Sequence, residues 1–334
     1  MSKKIISVEK ESAVSKYKQI VATTIESISI GKLKVGDKMP SINNLCKSFN
    51  ISRDTVLLAY KELKARGIIS SAPGKGYYIE TTNIDLTHKV FVLFDELNAF
   101  KENLYNSFLE ELNNNVLVEI FFHHFNRKVF DSLLHENNAL YTTYVVMPAK
   151  FNNISEQLAN LNGRVIILDQ LPEELSKKFP SVYQNFEKDT YNSLMSGKKL
   201  ISKYRKLIMI YPGGKEPEGQ FKGFIKFCNE TGISFELISD LTDRPISKGE
   251  AYIAIWDRDL VKIITSAKLQ GLEIGQDIGI ISYNDTELKQ VVANGITTIS
   301  TDFKAMGKTL ANLVLTKKNI QIENPASLIV RESL

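Results

Sequence analysis

Gly31-Lys-Leu-Lys-Val-Gly-Asp-Lys-Met-Pro-Ser41, then Leu45, Ser52-Arg53-Asp54-Thr55-Val56, Ala59-Tyr60, Leu63, Gly67 and Gly74-Lys75-Gly76-Tyr77-Tyr78 decide how the first eighty residues fold. Ahead of this run, Tyr17, Ile20, Val21, Thr24, Ile25 and Ile28 recur at helical spacing, and Gly31 stands where a helix stops. Pro40-Ser41 opens a second, short helix carrying Leu45 and Phe49, with Ser41 placed to cap free backbone amides. Asn50 and Ile51 form a turn. Ser52 caps a third helix, along one face of which Val56, Ala59, Tyr60 and Leu63 run toward Gly67. The period then changes: Ile68 and Ile69 lead into a tight Pro73-Gly74-Lys75-Gly76 turn and on to Tyr77, Tyr78 and Ile79, which reads as a hairpin.

Three helices, the third entered through a tight turn, and a basic hairpin predict a winged helix-turn-helix whose second motif helix enters the major groove. Charge agrees with that reading. Residues 1–80 hold 14 Lys and Arg against 7 Asp and Glu, whereas the whole chain carries a net +4, so positive charge is gathered at one end. A basic end on a near-neutral body is an electrostatic footprint for nucleic acid, although a solvated basic face gives the same count.

The quoted run resembles the GntR-family DNA-binding domain over almost the whole segment. The resemblance implies phosphate contacts from Ser41, Arg53 and Thr55, and minor-groove or backbone approach by the wing around Gly74, Lys75 and Gly76. Two positions depart from the family pattern: many members carry Arg where this chain has Asn43 and Leu57, which implies a different operator sequence. Arg53, near the start of helix three, can reach a phosphate or a guanine edge; Asn43 can pair with an adenine edge, touch backbone, or stand in solvent. Ser52 joins the expected DNA-facing set beside Arg53 and Thr55.

Residues 83–87 read as a polar linker between a 1–82 head and an 88–334 body. In the body, β-rich runs at 89–94, 116–122, 144–147, 165–168, 206–210, 235–238, 252–255 and 278–282 alternate with helical stretches, which predicts parallel sheets covered by helices. Ligands of such sheets sit beyond the carboxyl ends of strands, so Asp95, Asp169, Gln170, Asp257, Arg258, Asn284 and Asp285 are candidates. Taken singly, each carboxylate also fits a loop-capping or solvated role.

In order, Asp95-Glu-Leu-Asn98-Ala-Phe100, Ile166-Ile-Leu-Asp169-Gln170, Val182-Tyr-Gln-Asn185-Phe-Glu-Lys-Asp189, Gly219-Gln-Phe-Lys-Gly223-Phe224, Ile255-Trp-Asp257, Asp277-Ile-Gly-Ile-Ile-Ser-Tyr283-Asn284-Asp285 and Gly295-Ile-Thr-Thr298-Ile-Ser-Thr-Asp302-Phe303 resemble the periplasmic-binding-protein-like effector domain of LacI-type regulators. That resemblance implies two lobes, a cleft, and a sugar or related polar metabolite held by carboxylates, amides and stacked aromatics. It adds Asn98, Phe100, Asn185 and Trp256 to the candidates. An Arg often found ahead of the Gly-Phe pair is Gln220 here, and an acidic residue often found on the crossover aligns near Gln184 or Asn185. Trp256 and Phe100 fit stacking on a sugar face and equally fit packing.

Other chemistry is poorly supported. Tyr211-Pro-Gly-Gly-Lys215 lacks the glycine spacing and the Ser or Thr of a phosphate loop. The four histidines form no helical metal pair or triad, and His123-His124 on a strand would point to opposite sides. Cys46 and Cys228 have neither disulfide nor zinc spacing and read as packed thiols. The expectation is therefore an N-terminal winged helix-turn-helix plus a C-terminal α/β two-lobed periplasmic-binding-protein-like domain. It would be a cytoplasmic homodimer without cofactor, metal or membrane span, binding operator DNA and a small carbohydrate effector. A DNA-tethered sugar-metabolising enzyme and a ligand-free dimerising scaffold are the alternatives.

Overall fold

The computed structural model describes residues 5–9, 15–82, 88–113, 115–242 and 244–334; the 83–87 linker lies outside the described residues. The chain forms two compact units, Met1–Glu96 with Leu112–Val146 and Asn153–Ile166, and Leu97–Glu111 with Met147–Asn152 and Ile167–Leu334.

The first unit opens with α1 (Lys16–Ser29), α2 (Ile42–Phe49), α3 (Arg53–Ala65), β1 (Ile69–Ala72) and β2 (Gly76–Ile79). Both caps read from sequence are made: Ser41 Oγ accepts from the Asn44 amide and Ser52 Oγ from the Thr55 amide, each at 3.2 Å. Asn50 turns between α2 and α3 in the left-handed conformation. Ile20, Val21, Ile28, Leu45, Val56, Ala59, Tyr60 and Leu63 close a core with Ile68, Ile69 and Ile79 from the hairpin. Tyr60 fixes the hairpin's angle on this core, as its hydroxyl donates to the Pro40 carbonyl at 2.5 Å and its ring meets Tyr77 edge-on at 4.8 Å. β1 and β2 pair antiparallel from Ile69↔Ile79 to Ala72↔Gly76, and Lys38 bridges to Tyr78 as a third edge. Gly74 and Gly76 have φ of 70° and 113°, values that a side chain would strain, so the wing tip requires both.

The same unit continues into β3 (His88–Phe94), β4 (Val116–Phe122), α5 (Arg127–Glu136), β5 (Thr143–Val146) and α6 (Ser155–Ala159), with α4 (Ala99–Glu110) of the second unit between β3 and β4 in sequence. β3 lies between β4 and β5, all parallel. β4 ends at Phe122 and the next pair leaves the strand: His124 and Phe125 both have positive φ, so the two histidines are not alternate residues of a strand. His123 is wholly buried, its ring edge-on to Phe130 at 5.4 Å.

β6 (Arg164–Asp169) passes into the second unit, which continues with β7 (Ser181–Tyr183), α7 (Phe186–Ser196), α8 (Lys198–Ile201), β8 (Lys206–Ile210), α9 (Glu218–Thr231), β9 (Phe235–Ile238), β10 (Glu250–Ala254), α10 (Asp257–Gln270), β11 (Gly279–Tyr283), α11 (Glu287–Val291), β12 (Thr297–Thr301), α12 (Phe303–Thr316), β13 (Gln321–Glu323) and β14 (Ala326–Ile329). β7 pairs in parallel with Ile167–Asp169 and with β13. A six-stranded sheet runs β14-β12-β11-β10-β8-β9, parallel except for β14. β10, β11 and β12 are wholly buried and β8 is buried from Leu207 on, as a sheet covered on both faces requires. α7 and α9 cross closely because Gly219 and Gly223 lack side chains; a Cβ on Gly223 would come within 2.9 Å of Thr190 Cβ and overlap the Glu187 carbonyl.

Candidate DNA-binding face and ligand site

In the head, the α2 and α3 N-termini carry the residues expected to meet DNA. Ser41, Asn43, Ser52 and Arg53 are exposed, and Thr55 is half-buried with its hydroxyl 2.8 Å from that of Ser52. Capped helix N-termini present free amides and the positive end of the helix dipole, which suits phosphate oxygens. On the wing, Gly74 and Lys75 are exposed and Gly76 is half-buried. Lys38 is one cation that sequence reading passed over. It lies along Gly76 with its ammonium 5.8 Å from the Tyr78 ring centre, and so adds charge to the same tip as Lys75. Nothing in its local sequence sets it apart; only the bridge to Tyr78 does.

In the second unit, the carboxyl ends of β8, β10 and β11 gather Tyr211, Glu216, Trp256, Asp257, Arg258, Tyr283, Asn284 and Asp285. The Trp256 indole N–H donates to Glu216 Oε1 at 2.6 Å, and the Tyr211 hydroxyl holds the Glu216 carbonyl at 2.7 Å. The Arg258 guanidinium lies 4.0 Å over the Trp256 ring. Asp257, largely exposed, pairs at 2.9 Å with Lys289, whose buried ammonium also donates to the Tyr283 and Asn284 carbonyls. Burial pulls the Lys289 amine below its usual range, against the pull of Asp257. The Tyr283 and Thr190 hydroxyls share a 2.8 Å hydrogen bond, and burial first, with the charges of Asp189 and Glu216 added, raises the phenol's pKa.

Asp285 has a different character. Arg331 grips both its oxygens at 2.7 Å and the Thr298 hydroxyl donates to one of them, so its acceptors are already spent on tying β11, β12 and the chain after β14 together. Burial acts upward on its carboxyl, and the Arg331 hydrogen bonds outweigh this and leave it below the usual range. Asn98 caps α4 through the Lys101 amide, and Asn185 caps α7 through Lys188 while donating to Glu323 at 3.2 Å. Asp169, with φ of 76°, accepts from Gln184, which in turn accepts from Thr301; Gln170 follows, half-buried. The Phe100 ring packs tilted against that of Phe303, with centres 4.8 Å apart. These residues all belong to the second unit. Asp95, at the end of β3, belongs to the first and is buried, its carboxylate accepting from the Glu96 amide at 2.7 Å.

Glu216, Gln220, Asp189, Tyr283, Lys289 and Phe303 were absent from the sequence-derived site. Glu216 and Gln220 lie beyond a loop rather than directly after a strand, and Asp189 and Lys289 sit inside helices, where a charged residue reads as solvated. Three buried atoms here have no hydrogen-bond partner: Asp189 Oδ2, Gln220 Oε1 and Asn284 Oδ1. All are acceptors. Among the described residues no group of three or more His, Cys, Asp or Glu could hold a metal ion.

Residues 16–79 match the model of bacterial regulatory proteins of the gntR family, and residues 202–334 match a periplasmic binding protein-like domain. The head is similar to the transcriptional repressor YtrA of Bacillus subtilis, 37% identical over 75 residues, 22% of this chain and 58% of that protein. The chain is also similar to the regulator KdgR of the same organism, 37% identical over 110 residues, 30% of this chain and 32% of that protein. The chain thus spans at most 58% of either relative. Two solved structures share the body's fold. A LacI family regulator from Silicibacter pomeroyi has a TM-score of 0.62 at 15% identity, covering 74% of this chain and 98% of that one. A LacI family regulator from Enterococcus faecium with bound ribose has a TM-score of 0.60 at 18% identity, covering 73% and 98%. No described helix is long and apolar enough to cross a membrane.

Proposed function

We propose, for a chain that joins a GntR-type winged helix-turn-helix to a periplasmic-binding-protein-like domain, that it is a transcription regulator whose operator affinity is set by a small polar metabolite. The observation that carries the DNA half is the α3 start: a capped, exposed N-terminus bearing Arg53, beside a wing tip bearing Lys38 and Lys75. Arg53 on α3 and Lys38 and Lys75 at the wing grip phosphate from two separate places, while Asn43 reaches a base edge.

The metabolite half rests on the strand-end cluster around Trp256. An aromatic face, a carboxylate fixed beside it and buried acceptors lacking donors together suit a ligand that presents hydroxyl or amine hydrogens, as a sugar or sugar derivative does. Asp257 is the exposed acceptor of the group, whereas Asp285 is held by Arg331. The reading includes a head of residues 1–82, a body of 88–334 and a homodimer placing two α3 helices on half-sites. The similar KdgR and YtrA are named as a regulator and a repressor, and the similar Enterococcus faecium structure holds ribose; these support the reading.

The test is binding to duplexes selected from random sequence, measured across salt. Log affinity should fall by about 0.9 per neutralised phosphate per log unit of salt. Affinity indifferent to salt, or no selected duplex at all, would sink the DNA half.

A further inference from the structure

Asp189 is a buried charge whose hydrogen bonding is incomplete. It stands on α7 with 9% of its surface exposed, and its Oδ2 has no hydrogen-bond partner. Burying a carboxylate oxygen without a donor is destabilising, so packing alone favours a smaller or apolar residue at this position. The surroundings place it beside the strand-end cluster. Thr190, the next residue, shares the 2.8 Å bond with the Tyr283 hydroxyl at the end of β11, and after burial the Asp189 charge helps to hold that phenol's pKa up. On the other side, α9 sets its glycines against Glu187 and Thr190. Gln220, 3% exposed, continues the buried stripe of Phe224 and Phe227, which packs with Tyr283 and Trp256 in one core. Gln220 Oε1 and Asn284 Oδ1 are likewise buried without partners. A carboxylate oxygen, unlike an amide turned end for end, is an acceptor in either orientation, so what Asp189 calls for is a donor hydrogen.

We propose that Asp189 is a ligand contact: a hydroxyl of the effector donates to its unpartnered carboxylate oxygen beside Tyr283, so that effector binding drives a proton off this residue. The proposal rests on the metabolite-sensing reading above and adds to it one named contact and a dependence on pH. The charged groups around Asp189 are few. Lys188, beside it on α7, is committed at 2.6 Å to Glu323 of β13, and Glu187 precedes it on the same helix. On α9, Glu218 and Lys222 pair with each other at 3.0 Å, and Lys226 lies over the Tyr191 ring. Lys198 and Lys199 of α8 follow the far end of α7, while β12 and β14, which also pack on α7, bring no charge. Burial first, then the charge of Glu323, raise the Asp189 carboxyl to about 6. All four histidines belong to the first unit, so the second has no imidazole to titrate in its place. The sign follows from linkage. A donor hydrogen stabilises the carboxylate over the acid and returns the group toward its ordinary range in the complex, so affinity falls as pH is lowered through the free-protein value.

Trp256 is the chain's one tryptophan and shares the second unit with Asp189, so its emission follows binding there. Full-length protein would be titrated at pH 7.5 and pH 5 with sets of sugars that do not themselves titrate: glucose, galactose, mannose, ribose and xylose, each with its monodeoxy derivatives. The tightest-binding sugar should lose about ten-fold in affinity at pH 5. Calorimetry of the wild type at pH 6, in buffers of different ionisation enthalpy, should show about half a proton released per sugar bound. Asp189→Asn should bind that sugar more weakly at pH 7.5 and with the same affinity at both pH values, and the deoxy derivative lacking the donating hydroxyl should show the same flat profile on the wild type. A sugar that binds equally at both pH values without proton release, or a pH dependence retained in Asp189→Asn, would overturn the contact while leaving metabolite sensing in place. No change in Trp256 emission with any member would overturn both.

Discussion

Asp189→Asn should change stability by an amount that depends on pH, and the structure sets both the sign and the size. Asp189 is 9% exposed on α7, and one of its oxygens has no partner. Burial first, and then the charge of Glu323, push its carboxyl from 3.8 up to about 6, while the Asn185 backbone and Lys188 pull the other way. Glu323 itself stays ionised because Lys188, at 2.6 Å, and Asn185 hold it low. Tyr283 adds a neutral phenol on the β11 side. A carboxyl whose folded pKa lies above its unfolded value stabilises the fold fully below the unfolded pKa and loses that contribution as pH rises through the folded one. The span is about 2 pH units, or no more than about 3 kcal/mol in all, of which about 1.4 kcal/mol falls between pH 5 and pH 7.5. Asparagine does not titrate, so the wild type should gain that amount relative to Asp189→Asn on going from pH 7.5 to pH 5. Urea unfolding followed by Trp256 emission reads the correct half of the molecule, since Trp256 and Asp189 share the second unit. If the stability difference between wild type and Asp189→Asn is the same at both pH values, Asp189 is not the buried, raised carboxyl described.

Arg53→Ala should weaken DNA binding and shallow the salt slope by about 0.9, readable by fluorescence anisotropy at several salt concentrations; an unchanged slope would remove Arg53 from the phosphate contacts. Gly223→Ala should destabilise the second unit by about 1–3 kcal/mol in urea, because its methyl would collide with α7; a neutral result would mean that the α7–α9 crossing is looser than the structure shows. Arg331→Met should cost about 2–3 kcal/mol in the same assay by leaving Asp285 partly buried without its cation, and adding Asp285→Asn should recover part of the loss. If the double variant is no better than the single, the pair is not what Arg331 contributes.

The head was legible almost to the residue because every device there is local. Ser41 and Ser52 cap three residues ahead, Asn50 and Gly67 turn where helices end, and the glycines of 74–76 need only their own φ. The body's strands were legible for a different reason: Lys206–Ile210 and Phe235–Ile238 are short apolar runs with sharp polar ends, and they stand as read. β13 and β14, at Gln321–Glu323 and Ala326–Ile329, were not anticipated, since runs this short acquire strand character only from their pairing with β7 and β12. The ligand site was legible as a set of strand ends but not as a set of partners. Asp285 and Asp257 look alike in sequence, and it takes the distant Arg331 and the helical Lys289 to give one a clamped role and the other an exposed one. Trp256 was found, yet its partner Glu216, 40 residues earlier, was not.

If a metabolite regulates operator binding, the DNA-binding and ligand-binding halves must be thermodynamically linked. A labelled duplex obtained by selection would be titrated with full-length protein, with and without saturating ligand from the sugar sets, and the ligand titrated with and without duplex. Ligand should change duplex affinity by some factor, and duplex should change ligand affinity by the same factor, as thermodynamic reciprocity demands. Equal duplex affinity with and without a ligand that demonstrably binds would contradict it, leaving a DNA-binding head and a ligand-binding body that do not communicate.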